Sequence, residues 1–181
     1  MGKNIYISLI CITAIVVVFF IVTENKKDNT VGKLKITRPP KIRIVYSKKI
    51  KDKDRPKITK SQDAADVFRE IWSSQIEVRE EFIVLLVDRA NRVLGYQLLS
   101  KGGITGTVAD IKLIYSVVLE SLASGIIIAH NHPSGNLQPS NADLQLTKKI
   151  QEAGKYIDVA LLDHIILTKE SYYSFADEGR M

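Results

Sequence analysis

The chain has 181 residues, of which 26 are Lys or Arg, 20 are Asp or Glu, three are His and one is Cys. This length suits one domain with appendages, and 45% apolar with 25% charged residues exclude a wholly disordered or collagen-like chain. The single cysteine excludes an internal disulfide framework and a zinc site built from several thiolates. Metal chemistry, where present, must therefore use histidines and carboxylates.

The first segment is an uncharged apolar run. Residues 5–22 contain 16 apolar residues of 18, and the two polar ones are Ser8 and Thr13. This length is close to the about 20 residues that a membrane-spanning helix needs. A signal peptide has a shorter apolar part and small residues before its cleavage site. We therefore predict a transmembrane helix over residues 1–23, in preference to a cleaved signal peptide, a buried helix or a misassigned start codon.

The second segment, residues 24–60, is predicted to be a basic linker. Residues 23–60 carry 14 Lys or Arg against four acidic residues, a net charge of +10, whereas residues 61–181 carry 11 against 16, a net of −5. Basic residues that follow an apolar span predict a cytoplasmic C-terminal side. We thus expect a single-pass, membrane-anchored protein with a cytoplasmic domain, or a cytoplasmic protein if the N-terminal segment is not real.

The basic linker has two interpretations. It is typical of a solvated tether beside an anionic membrane surface, where each basic residue adds a modest attraction. Nucleic-acid binding is the less favoured alternative, because aromatic residues for base stacking are not interleaved with the charges.

The third segment, residues 61–181, is predicted to be an α/β domain with a mixed sheet. Strands are expected over 82–87, 93–99, 125–129, 159–167 and 172–175. Helices are expected after Ser61, from Asp110 to about Leu122, and from Ser140 to about Gly154. Strands that are interleaved with helices in this way indicate the α/β class.

Four residues at fixed spacing point to metal chemistry. His130 and His132 end a predicted strand, where period-two alternation puts both imidazoles on one face. Ser140 and Asp143 are three residues apart and share one face of the first turn of a helix. The loop over 133–139 allows the two pairs to converge. Two neutral imidazoles and one carboxylate form a catalytic-zinc ligand set that leaves a fourth position free.

Each pair alone has a plainer explanation. An isolated His-x-His is often two half-buried histidines, and Ser-x-x-Asp at a helix start is often a capping pair. Their joint occurrence at this spacing is rare at average residue usage, and two of the three histidines are used here. We therefore predict a metal site with His130, His132 and Asp143 as ligands.

A hydrolase also needs a general base near the attacking water. Glu80 and Glu81 immediately precede the predicted strand over 82–87, and we expect one to be a solvated charge and the other to reach the site. Ser140 is placed to donate a hydrogen bond to a developing oxyanion. His164, on an apolar strand, is interpreted as a partly buried histidine with local hydrogen bonds, in preference to a role beside the site.

This pattern resembles the JAMM signature of the JAB/MPN metallohydrolases, and the surrounding sequence is similar to the RadC branch. The similar stretches are SKGG at 100–103, AHNHPSGN at 129–136, PSNADLQLTKKIQEAG at 139–154, LLDHIIL at 161–167 and YYSFADEG at 172–179. The resemblance runs from about residue 39 to the end, with residues 61–181 as the RadC-like metallohydrolase domain. It implies a three-layer α/β fold similar to cytidine deaminases, with zinc as the metal.

The resemblance also implies residue roles and an activity. It implies that His130, His132 and Asp143 hold the zinc and that Ser140 is the oxyanion donor. The Glu-x-Phe pattern of the family points to Glu80 over Glu81 as the base. The activity implied is that of a metallopeptidase or isopeptidase, with a peptide or isopeptide substrate of unknown identity.

The chain departs from longer RadC-type proteins at its N-terminus. Those proteins carry a helix-hairpin-helix region associated with DNA binding, whereas this chain has the basic linker and an apolar run. The alternative function is a RadC-type DNA-repair or nucleic-acid accessory protein with a structural or vestigial metal site. A non-catalytic scaffold is a third. The sequence leaves the substrate and the oligomeric state open.

Overall fold

The computed structural model describes residues 50–102 and 109–181, which all belong to one compact unit. A short 3-10 turn at Asp52–Asp54 precedes the domain's main elements. The helices are α1 (Ser61–Ile71), α2 (Ile111–Ser121) and α3 (Asn141–Lys155). The strands are β1 (Glu81–Val87), β2 (Val93–Lys101), β3 (Gly125–Asn131), β4 (Ala160–Leu167) and β5 (Tyr172–Ser174).

The five strands form one mixed sheet in the order β2-β1-β3-β4-β5. Strand β1 is antiparallel to both β2 and β3, β3 is parallel to β4, and β4 is antiparallel to β5. Because parallel neighbours need a long crossover, helix α3 lies between β3 and β4 in the chain. The mixed sheet expected from the sequence is therefore present.

The sheet is covered on both faces, and this explains why β1 and β3 are buried along their whole length. Alternate residues of a strand point to opposite faces. Val84 and Ile128 pack in one apolar cluster with residues of α2 and α3, whereas Ile83 and Ile127 pack in a second cluster with α1. The result is three layers, with α1 on one side of the sheet and α2 and α3 on the other.

Helix α3 is packed closely against its surroundings near its C-terminus. A Cβ atom built on Gly154 would lie 2.3 Å from the carbonyl oxygen of Val159, so a glycine is required there. The Tyr115 hydroxyl donates to the Ile150 carbonyl at 2.5 Å and ties α2 to α3. These contacts hold α3 in a set position relative to the strand that follows it.

The domain boundaries predicted from the sequence stay predictions. Packed structure nevertheless begins before Ser61, because Ile58 is buried and its amide donates to the Asn91 carbonyl at 2.9 Å. Lys57 also forms an isolated antiparallel bridge with Arg92. The end of the predicted linker is thus part of the domain, and residues 24–49 lie outside the described residues.

The prediction of a membrane-spanning helix is corrected. Within residues 50–102 and 109–181, no helix is both long and apolar enough to cross a bilayer. Helix α3 has 15 residues, which is about 22 Å against the about 30 Å of a bilayer's hydrocarbon core. It also carries acidic and basic residues. The predicted segment itself, residues 1–23, lies outside the described residues.

Two expectations change as a consequence. The fold class is a mixed-sheet α/β domain, and the part of the chain that the structure describes contains no transmembrane helix of the kind that we predicted. The single-pass, membrane-anchored localisation with a cytoplasmic domain depended on that helix. The predicted localisation is therefore withdrawn together with the predicted helix.

Candidate metal centre

The structure brings His130, His132 and Asp143 together. One ligand atom from each residue lies within 4.8 Å of the other two. The Nε2 atoms of His130 and His132 are 3.0 Å apart, and His130 Nε2 is 3.3 Å from Asp143 Oδ1. In a tetrahedral zinc site with bonds of about 2.0–2.1 Å, neighbouring ligand atoms are about 3.3 Å apart. The atoms therefore have a spacing that suits a small tetrahedral cation.

The ends of two regular elements supply these side chains. His130 is the penultimate residue of β3, and His132 follows that strand with its amide bound to the Leu167 carbonyl at 3.1 Å. The chain then turns tightly at Gly135, which has a φ of 78° that favours glycine. Asp143 lies in the first turn of α3. Strand end and helix start thus meet at one edge of the sheet.

A chain of hydrogen bonds fixes which nitrogen of His130 carries the proton. The Thr147 hydroxyl donates to the Asp143 carbonyl at 2.6 Å, so its oxygen is left to accept from His164 Nδ1 at 2.7 Å. His164 Nε2 then has no proton, and it accepts from His130 Nδ1 at 2.9 Å. It follows that His130 Nε2 presents a lone pair to the site.

His132 is fixed in the same tautomer by a shorter route. Its Nδ1 donates to the Asn136 carbonyl at 2.5 Å, so the neutral imidazole has its lone pair on Nε2. In these tautomers the His130 Nε2 lone pair faces His132 Nε2 at 3.0 Å and Asp143 Oδ1 at 3.3 Å with no proton between them. This arrangement is repulsive unless a cation lies among the three atoms. The donor set therefore fits a metal ion. Each of the two histidines also donates its other ring N–H to a protein group, as histidines that bind metals usually do.

Burial keeps His130 and His164 neutral. It lowers the pKa of His130 from its ordinary 6.5 to about 4, although the nearby Asp143 carboxylate acts in the opposite direction. His164 is fully buried, and burial holds its pKa well below the ordinary value. Both side chains are thus neutral near pH 7. The neutral imidazole is the form that binds a metal.

Ser140 holds the Asp143 carboxylate from the other side. The Ser140 amide and hydroxyl donate to Asp143 Oδ2 at 2.7 and 2.6 Å, and the Asp143 amide donates back to the hydroxyl at 3.2 Å. This reciprocal pair is a capping box at the start of α3. It leaves Oδ1 directed at His130. The plain capping interpretation and the metal-site interpretation therefore describe the same hydrogen bonds.

Glu80 and Glu81 point to opposite faces of the sheet. The Glu80 carbonyl accepts from the Gly102 amide at 2.7 Å, so the hydrogen bonding with β2 extends one residue before the start of β1. Alternation then puts Glu80 on the face of Phe82, whose ring stacks at 6.3 Å from that of His130. Glu81 faces α1, is 1% exposed, and lies 3.5 Å from Lys101 Nζ. Of the two, Glu80 is therefore the one that alternation assigns to the histidine side.

The sequence interpretation missed two residues that support the site. His164 was expected to make local hydrogen bonds only, yet it bonds to His130, 34 residues away in the chain. Thr147 was not singled out. It lies four residues after Asp143 on α3, on the same helix face, and this i to i+4 spacing is the signal that identifies it in hindsight.

A cleft of about 230 Å³ opens beside His132. Its walls are the loop at 76–77, the loop after His132 and the turn at 168–171, and an ion pair of 2.9 Å joins Glu77 to Lys169. Pockets that enclose a drug-sized ligand are usually about 300–1,000 Å³. This cleft is smaller than that range.

Comparison with known proteins agrees with these observations. A family model described as RadC-like JAB domain matches residues 58–180. A UPF0758 protein of Flavobacterium johnsoniae is 50% identical over 123 residues, which cover 68% of this chain and 53% of that protein. A UPF0758 protein of Porphyromonas gingivalis is 38% identical over 135 residues, covering 74% of this chain and 60% of the relative.

A third relative shows the same partial coverage. The UPF0758 protein of Trichodesmium erythraeum is 39% identical over 133 residues, which cover 72% of this chain and 48% of that protein. The chain therefore spans about half the length of the curated relatives it matches.

The buried histidines predict acid-sensitive folding of the metal-free chain. His130 has a pKa of about 4 in the folded state against an ordinary 6.5, so between these values the unfolded chain binds more protons. Stability is then full above pH 6.5 and falls as the pH is lowered. We expect the melting temperature of the chelator-treated protein to drop from pH 7.5 to 5.0. A His130→Gln variant should show a shallower decline, and equal slopes would contradict this account.

The hydroxyl of Thr147 is predicted to support metal affinity. Thr147→Val keeps the shape of the side chain but removes the acceptor for His164, so the proton on His130 is no longer held at Nδ1. We expect zinc affinity to fall about 10- to 100-fold, as is usual when a partner of a ligand is lost. Competition with a chromophoric chelator measures this. Thr147→Ser keeps the hydroxyl and is the matched control, so equal losses in both variants would refute the prediction.

Proposed function

The chain belongs to the RadC-like JAB domain family, and from this premise we propose that it is a zinc-dependent hydrolase of the JAMM type. The proposed activity is that of a metallopeptidase or isopeptidase. The observation that carries the proposal is the set of three electron-rich atoms, from His130, His132 and Asp143, which lie within 4.8 Å with no proton between them.

Zinc is the metal that we propose for this set. Two imidazole nitrogens and one carboxylate oxygen, with a fourth position open, are the ligands of many catalytic zinc sites. Magnesium and calcium prefer oxygen ligands only, and such ions suit this site poorly. Zinc held by these residues would supply Lewis acidity and would make a water molecule a usable nucleophile near neutral pH.

The chain's own residues divide the remaining work. Glu80, on the histidine side of β1, is proposed to take one proton from the attacking water and to deliver it to the leaving amine nitrogen. The water oxygen bonds to the carbonyl carbon, the C–N bond breaks, and the products are a carboxylic acid and an amine. Glu81 is not available for this step, because it faces α1 and its carboxylate lies beside Lys101.

Ser140 is proposed to stabilise the developing negative charge on the substrate carbonyl oxygen. Its hydroxyl donates to Asp143 Oδ2 in the structure, and its amide donates to the same oxygen. The hydrogen bond from the Ser140 amide would hold the Asp143 carboxylate in place when the Ser140 hydroxyl turns toward the substrate. Such oxyanion hydrogen bonds are worth about 3–4 kcal/mol in the transition state. Removal of the hydroxyl should therefore weaken both catalysis and the orientation of Asp143.

The cleft beside His132 is the proposed approach for substrate. It lies at the edge where β3 ends, and Leu137 and Thr168 are among its lining residues. An extended peptide placed there would pass next to His132, one of the three candidate ligands. Which peptide or isopeptide it accepts is left to a substrate screen.

Loss of Asp143 is predicted to abolish zinc binding. Elemental analysis of the purified full-length chain, after reconstitution, should give about one zinc per chain, and Asp143→Ala should retain less than a tenth of it, since one of three protein ligands is gone. Glu152→Ala, an exposed acid on the same helix, is the control and should bind zinc fully. No zinc in the unaltered chain would reject the hydrolase and favour the nucleic-acid accessory alternative, for which the basic linker is the support.

Glu80→Gln is predicted to separate metal binding from catalysis. We expect this variant to bind zinc as the unaltered chain does and to lose at least about 100-fold in kcat, because the proton acceptor is missing. Cleavage of a peptide library, with Lys ε-amino-linked peptides included, is followed by mass spectrometry. Glu81→Gln serves as the neighbouring control and should keep its kcat. A fully active Glu80→Gln protein that contains zinc would remove Glu80 from the mechanism.

A further inference from the structure

Asn131 stands between the two candidate ligand histidines but faces the other side of the strand. It is fully buried, and its side-chain amide makes three hydrogen bonds to backbone groups. Its Nδ2 donates to the carbonyls of Ile76 and Arg79 at 2.6 and 2.9 Å, and its Oδ1 accepts from the Glu81 amide at 2.7 Å. Both donor hydrogens of the amide are therefore used, and the oxygen is used as well.

These partners bracket Glu80. The Arg79 carbonyl belongs to the peptide bond before Glu80, and the Glu81 amide belongs to the peptide bond after it. The Glu80 carbonyl is held in turn by the Gly102 amide at 2.7 Å. Three of the four polar groups in the two peptide bonds that flank Glu80 are thus bonded, and two of them are bonded by a single side chain.

The backbone hydrogen bonds between β1 and β3 do not extend to the peptide bonds that flank Glu80. The paired register of β1 and β3 begins at Phe82 and His130, one residue after Glu81. The segment before Glu81 is a turn, in which the amides of Val78 and Arg79 both bind the Gln75 carbonyl. Its attachment to β3 is therefore made through the Asn131 side chain. A shift of that segment would move Glu80 relative to His130, the candidate ligand on β3.

We propose that Asn131 is a positioning residue that sets the distance between the Glu80 carboxylate and the metal centre. This inference rests on the proposed function, because it assumes that Glu80 acts at the metal. The position needs both a donor and an acceptor. An aspartate would keep the bond to Glu81 but would set its second oxygen against two carbonyls, and a leucine would remove one buried and two part-buried hydrogen bonds to the backbone.

Cobalt(II) in place of zinc gives a test that needs no substrate. In the full-length chain, Glu80→Gln should change the visible absorption of the bound cobalt, and Asn131→Leu should reproduce that change. The double variant should show no further change, because Asn131 acts through Glu80. Asn131→Asp preserves size and the acceptor, and it replaces the leucine variant if the latter does not fold. Ser174→Ala, which removes a buried hydrogen bond to Asp163 on another strand, is the control and should leave the spectrum unchanged.

Peptide cleavage gives the second reading. With a substrate from the library, Asn131→Leu or Asn131→Asp should lower kcat about 100-fold at a nearly constant KM, and neither should lower it further in the Glu80→Gln background. A chain that binds neither cobalt nor zinc would reject the proposed function itself. Normal metal binding with an additive loss in the double variant, or an Asn131 variant with full kcat, would overturn the positioning role alone. A cobalt absorption spectrum that does not change in the Glu80→Gln variant would also overturn the positioning role.

Discussion

The candidate metal centre depends on which ring nitrogen carries the proton in His130 and in His132. Because Thr147 commits its own proton to the Asp143 carbonyl, His164 and then His130 each have a single tautomer that satisfies their hydrogen bonds. His132 is fixed separately by the Asn136 carbonyl. The folded chain thereby gathers three electron-rich atoms that repel one another. The free energy of folding holds this arrangement together, and a bound cation would relieve it.

The fold places these groups on rigid supports. Strands β1 and β3 are buried on both faces, so their backbones are held by packing as well as by hydrogen bonds. Because β1 is antiparallel to β3, the start of β1 lies beside the end of β3, and Phe82, two residues after Glu80, is paired with His130. The crossover through α3 brings Asp143 to the same edge. One edge of one sheet thus collects the ligands and the proposed base.

Residues of the same type acquire different roles from their surroundings. Glu80 and Glu81 are adjacent, yet one lies on the side of the metal centre and the other is buried beside Lys101 on the opposite face. His130 and Asn131 are also adjacent and also point to opposite faces. A single strand therefore carries a candidate metal ligand toward one layer of the domain and, toward the other, the amide that binds the segment bearing Glu80.

The sequence by itself determined the elements of the domain and the four residues of the motif, because period-two and helical spacing act within a few residues. Which glutamate faces the ligands follows from alternation only after strand β1 has been paired with β3. The contact of His164 with His130 and that of Asn131 with Glu81 join residues 34 and 50 positions apart. Strand order and register decide such contacts, and neither is written in local patterns. The tertiary structure alone therefore decided which side chains orient the site.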